Sequence, residues 1–153
     1  MKCICFFIIV LLFLVCGSIH GKEFEFNSNG NFTILQLTDL HLCGDSNDDP
    51  TLAIIRNLTE AANPDLVILT GDVVSASCGK GKAKFIKNEW KKVTQIFSDL
   101  KVYYAVTLGN HDYDGEMTGR EIMELDITNP YSVSKISNFS NPSTYTIPVF
   151  SRL

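Results

Sequence analysis

Excess positive charge is missing. The 153 residues carry 13 Lys and Arg against 17 Asp and Glu, a net charge of −4 and a pI near 5.3, so nothing suggests a nucleic-acid surface. No G-x-x-x-x-G-K-S/T string exists, so the glycines and lysines of residues 73–84 form a flexible, solvated basic loop rather than a phosphate cradle. A calcium loop is excluded as well. Asp45, Asn47 and Asp49 alternate suitably, but Pro50 stands where glycine is needed and Arg56 where the closing glutamate is needed. No internal repeat and no interdomain linker is visible, and the length suits one modest domain. Histidine is scarce, with only His20, His41 and His111.

The one extended apolar run, Ile4 to Val15, is twelve residues long and too short to span a bilayer comfortably. Lys2 precedes it, and Cys16, Gly17 and Ser18 follow. That is the anatomy of a secretory signal peptide over residues 1–21, with the folded domain over 22–153 and no membrane span once the signal is removed. An uncleaved anchor or a buried strand are the alternatives. Export would leave Cys43 and Cys78 as the remaining cysteines. Each lies a few residues past a strand, so the two share one rim, and an oxidising compartment favours a disulfide between them. Two free thiols is the plainer alternative, and thiolate metal ligands fit poorly beside harder oxygen and nitrogen groups. Export would also expose three sequons to glycosylation, at Asn31, Asn57 and Asn138.

Apolar patterning gives an α/β chain. Ile34 to Thr38, Leu66 to Thr70 and Val102 to Leu108 read as buried strands. Between them, residues 51–62 form a helix with Leu52, Ile55, Leu58 and Ala62 inward and Asn57 outward, capped by Asp49 with Pro50 in its first turn. Residues 84–100 form a second helix with Ile86, Trp90, Val93, Phe97 and Leu100 as its core stripe. Strand–helix–strand–helix–strand implies right-handed crossovers and a mainly parallel sheet. A short helix is expected over 119–125 and a strand over 144–150, which Pro148 places at an edge.

The three strands end alike. The first runs into Asp39-Leu40-His41, the second into Gly71-Asp72 and the third into Gly109-Asn110-His111-Asp112. Ligands of open α/β sheets bind at the carboxyl ends of strands. Each polar residue taken singly is a cap, a turn or a surface group, but three matching strand tips point to one site. Asp39 and His41, two apart on an extended segment, can grip one metal ion. Asp72 has two oxygens with which to bridge two ions, and Asn110 supplies a neutral hard ligand. His111 is left free to face a substrate. Two close ions stabilise an in-line phosphoryl displacement and acidify water.

These strings, each closing a strand, resemble calcineurin-like metallophosphoesterases over about residues 32–112. Gln36 to His41 and Tyr145 to Val149 are most similar to the branch related to purple acid phosphatases. The resemblance implies a four-layer α/β/β/α sandwich around a centre of two divalent or trivalent ions, Fe, Zn or Mn. It implies hydrolysis of a phosphoric ester by a metal-activated hydroxide. Asp39 and His41 would bind the first metal, Asp72 would bridge, Asn110 would bind the second, His111 would assist the leaving group and Asp112 would support the ligands. Purple enzymes carry a tyrosinate ligand three residues after the bridging Asp. Ser75 stands there, so the purple colour is not expected. The family's downstream histidines, including a G-H-x-H string, are absent. The chain thus resembles the N-terminal half of a secreted phosphoesterase, or alternatively a catalytically silent fragment or binding module.

Overall fold

The computed structural model describes residues 22–82 and 84–151; the expected signal segment lies outside them. In order come β1 (Phe24–Glu25), β2 (Ile34–Leu37), α1 (Asp48–Ala62), β3 (Leu66–Thr70), α2 (Phe85–Leu100), β4 (Tyr104–Thr107), α3 (Gly119–Asp126) and β5 (Val149–Phe150). β2, β3 and β4 form a parallel sheet in that order, joined through α1 and α2. Connections of this kind are right-handed in nearly all proteins. The register pairs Leu37 with Leu69 and Thr70 with Thr107, so the three strands finish nearly level. That alignment brings the three polar tips to one rim.

Burial follows each strand's place in the sheet. In central β3, Leu66, Val67 and Leu69 are buried, as its unbroken aliphatic run requires. β2 lies at one end of the order and is half-exposed, with Ile34 51% accessible. The far side of β4 is joined by residues after α3: Tyr104 N–H donates to Tyr131 O (3.0 Å) and Val133 N–H donates to Tyr104 O (2.8 Å).

The main core fills the space between this sheet and the helices. Ile86, Trp90, Val93 and Phe97 are fully buried on α2, as their spacing predicts. On α1 the buried stripe differs from expectation. Ile55 is buried and Leu52 half-buried, but Leu58 is 45% exposed and Ala62 is exposed, while Thr59 is buried with its hydroxyl on Ile55 O (2.7 Å). At about 100° per residue Leu58 stands about 60° from Ile55 but about 100° from Thr59 and about 120° from Leu52, to one side of the stripe they share. The predicted cap is corrected too. The helix begins at Asp48 with Asn47 as an N-cap lacking a side-chain bond, so Asp49 is not the cap. Asp48 turns inward instead and accepts from the Cys43 and Gly44 backbone N–H groups, both at 3.0 Å. Pro50 sits in the first turn, where no intrahelical N–H is needed. Asn63 closes the helix in the left-handed region before Pro64.

α2 gains a cap from a distance: Ile86 N–H donates to Glu116 Oε1 (2.9 Å). α3 begins with a capping box between Thr118 and Glu121. The strand expected over 144–150 shrinks to Val149–Phe150, which pairs in parallel with β1, a strand too short to read from pattern. Upstream of it, Tyr145 crosses the sheet and bonds through its hydroxyl to Val106 N–H (3.0 Å) and Val106 O (2.6 Å). On this second face Phe24, Leu66 and Ala105 form a smaller cluster. A shallow apolar cavity of about 310 Å³ opens there beside Ile34, Ile68 and Ile147.

Candidate metal centre

Three loops leave the level strand ends, and glycine sets how closely two of them approach. A Cβ on Gly71 (φ +103°) would lie 2.8 Å from Gly109 Cα. A Cβ on Gly109 would collide with the Asp72 carboxylate and lie 2.5 Å from the Asp72 backbone nitrogen. The backbones of the Gly-Asp and Gly-Asn-His-Asp loops can therefore touch only because both positions lack a side chain.

Asp112 binds the touching loops together. It is fully buried and accepts from the Asp72 N–H (2.9 Å) and Gly109 N–H (2.8 Å) on one oxygen and the Val74 N–H (3.0 Å) on the other. Burial pushes its carboxyl above the usual range, opposed by these three N–H groups, while the Asp72 charge adds to the rise. The carboxylate is thus a structural pin beneath the site.

Asp39, His41 and Asp72 adopt φ values of 54°, 49° and 52°. The sequence-based picture of Asp39 and His41 on an extended segment is therefore corrected. Their side chains meet because the chain kinks into the left-handed region at both residues, not because a strand alternates. Such backbone costs non-glycine residues about 1–2 kcal/mol each and persists where surrounding bonds hold it. Those bonds are present. Asp39 N–H donates to Gly71 O (3.1 Å), His41 N–H to Asp72 O (2.9 Å) and Leu42 N–H to Val73 O (3.1 Å).

One donor atom from each of Asp39, His41 and Asp72 lies within 4.8 Å of the others. A metal ion with bonds of about 2.1 Å holds three donors about 3.4 Å apart, so the three side chains, two exposed and one half-buried, would draw together by about an ångström to seat one. Two carboxylates and an imidazole suit a divalent transition ion. The rings and carboxylates are already oriented. His41 Nε2 is 3.7 Å from Asp39 Oδ1, Thr38 Oγ donates to Asp39 Oδ2 (2.6 Å), and His41 Nδ1 meets Ser75 Oγ at 3.0 Å. Asp72 Oδ1 accepts the His111 backbone N–H (2.9 Å).

Asn110 is exposed at the tip of the third loop. The His111 ring lies 5.5 Å from the His41 ring, centroid to centroid, with its Nδ1 3.1 Å from Asp114 Oδ2. Cys43 and Cys78 are bridged, Cα to Cα 5.4 Å, and tie the loop after His41 to the 3-10 turn Ala76–Gly79. Ser75 and Asp114, the partners of the two histidine rings, were not legible as such from sequence. Asp114 carried a signal, a carboxylate three residues after His111 in a turn; Ser75 was marked only by its place three residues after Asp72, and nothing local pairs it with His41.

The family model described as Calcineurin-like phosphoesterase matches residues 32–148. Phosphatase DCR2 of Saccharomyces cerevisiae is 29% identical over 131 residues, covering 76% of this chain and 22% of that protein. Probable inactive purple acid phosphatase 14 of Arabidopsis thaliana is 24% identical over 152 residues, covering 83% and 36%. The crystal structure of Pseudomonas putida nuclease MPE aligns with a TM-score of 0.44 at 19% identity, over 77% of this chain and 59% of that one. The chain thus spans about a third or less of the length of these two curated relatives.

Proposed function

This chain belongs to the calcineurin-like phosphoesterase family, and from that premise we propose that it carries the metal-binding rim of an exported phosphoesterase. The single observation supporting this reading most strongly is the convergence of Asp39, His41 and Asp72 to within 4.8 Å at the ends of adjacent parallel strands. The family implies divalent ions. Asp39 and His41 would hold the first, Asp72 would be shared, and Asn110 would serve the second; Fe, Zn and Mn all suit these donors. Bound there, the ions would supply Lewis acidity to the phosphoryl oxygens and lower the pKa of attacking water.

The chain's own residues do the rest. Asp112 fixes the spacing of the Asp72 and His111 loops. His111 contacts Asp114 through Nδ1, which leaves Nε2 as the nitrogen that would give a proton to the leaving-group oxygen. The substrate is a phosphoric ester.

Export by way of the 1–21 signal belongs to the same proposal. A Cys43–Cys78 bridge suits a secretory lumen or the exterior. Asn31, Asn57 and Asn138 are all exposed, as glycan acceptors must be. The competing reading is a catalytically silent binding module. It is favoured by the relative named a probable inactive phosphatase and by the scarcity of histidine in this chain.

The test is hydrolysis of p-nitrophenyl phosphate by the protein purified from its natural source, with metal analysis. Metal-dependent turnover that falls in a His111→Ala variant of unchanged metal content supports the enzyme. Absence of both bound metal and turnover supports the silent module.

A further inference from the structure

We infer that Ser75 is a positioning residue for the first metal site, holding the His41 ring in the tautomer that leaves Nε2 free to bind. The inference rests on the reading of His41 as a metal ligand. Its observation is separate: His41 Nδ1 lies 3.0 Å from Ser75 Oγ, while Nε2 points to Asp39 Oδ1 at 3.7 Å.

The physical argument begins with imidazole. A neutral ring carries one N–H, and the nitrogen without it is the one that binds a metal. A hydrogen-bond acceptor at Nδ1 keeps the proton there and leaves Nε2 with its lone pair, and it also fixes the ring's rotation. The Ser75 hydroxyl, which can donate as well as accept, is the protein group at hydrogen-bond distance from Nδ1, and in this assignment it accepts.

Ser75 is itself held firmly. Its N–H donates to Leu42 O (3.0 Å), its carbonyl accepts the Cys78 N–H (2.9 Å), and Leu42 pairs with Val74. The Cys43–Cys78 bridge spans the same two segments. The hydroxyl is therefore delivered to His41 by a clamped backbone rather than by a mobile side chain, so the entropy of orienting the ring is lost before any ion arrives. Ser75 faces the ring's far nitrogen and supports a ligand.

The experiment compares the 153-residue protein with Ser75→Ala and Ser75→Thr. The first readout is the tautomer of His41 in metal-free protein at pH 8, from ¹⁵N shifts of the ring. The account predicts protonated Nδ1 in the natural protein and in Ser75→Thr, and a mixture or the reversed tautomer in Ser75→Ala. The second readout is Mn²⁺ affinity by calorimetric titration. Ser75→Ala should weaken the first site about 10-fold, with Ser75→Thr restoring most of it and circular dichroism unchanged in both. Unaltered tautomer and affinity in Ser75→Ala would overturn the inference. So would an affinity loss that accompanies unfolding and is not restored by threonine. If the natural protein binds no Mn²⁺, the metal reading fails, while the tautomer comparison still decides whether Ser75 sets the ring.

Discussion

At the scale of single residues, the buried carboxylates separate support from chemistry. Asp112 accepts three backbone N–H bonds from two loops. Asp112→Asn sets an NH₂ group against at least one of those donors and should cost about 2–3 kcal/mol in urea unfolding, the scale of lost bonds to a buried charged group. A change under 0.5 kcal/mol would mean that the loops hold themselves. A second group gives a pH signature. Glu89 is buried with Lys92 Nζ 2.5 Å away and Asp48 alongside. Burial raises the Glu89 carboxyl above 4.5, and its contact with Asp48 adds to the rise against the pull of Lys92. Burial also acts to raise Asp48, but the Cys43 N–H and its other partners outweigh it and hold that carboxyl below 3.8. The signs follow from which state binds protons more tightly. The contribution of Asp48 is present above 3.8 and is lost as pH falls through its lower folded value. That of Glu89 is present below 4.5 and is lost as pH rises through its higher folded value. Unfolding midpoints of Glu89→Gln should therefore decline less than those of the natural protein as pH rises above 4.5. Parallel pH profiles of the two proteins would contradict this.

At the scale of elements, the strand tips form one rim because β2, β3 and β4 are parallel and in register. That much was legible: the aliphatic runs, the helical stripe of α2 and the three polar tips are all local patterns, and the structure places them on adjacent strands. What was not legible depended on contacts far apart in sequence. Asp49 reads locally as the cap of a helix over 51–62, but α1 begins at Asp48, whose inward carboxylate meets the Cys43 and Gly44 N–H groups and, 44 residues later in the chain, Lys92. Leu58 looked like a core residue until α1 took its rotation from Ile55 and Thr59. The left-handed backbone at Asp39 and His41 is imposed by bonds to Gly71 and Asp72 on the next strand, and no local rule foretells it. The Cys43–Cys78 bridge acts at this scale too. It closes a separation of 35 residues, for which chain entropy gives about 3–4 kcal/mol. The double variant Cys43→Ser/Cys78→Ser should lose stability of that order, and native protein should show no thiol reacting at either cysteine before reduction. Rapid labelling of both thiols in unreduced native protein would refute the bridge.

At the scale of the whole molecule, the described residues build one rim of the proposed two-ion centre. Asp39, His41 and Asp72 offer three donors to a first ion, whereas Asn110 offers a second ion one ligand besides a shared Asp72. The 153-residue chain should accordingly hold one ion well and a second weakly, and turn over p-nitrophenyl phosphate slowly or not at all, because the developing phosphoryl charge is stabilised by both ions together. Asp72→Asn should be the most damaging single change. The most direct test is equilibrium dialysis of the folded 153-residue protein against Mn²⁺, with metal analysis of the retained protein, alongside Asp72→Asn. The account predicts one tightly retained ion per chain in the natural protein and its loss in the variant. No retained ion, two equally tight ions, or an unchanged ion in Asp72→Asn would contradict it.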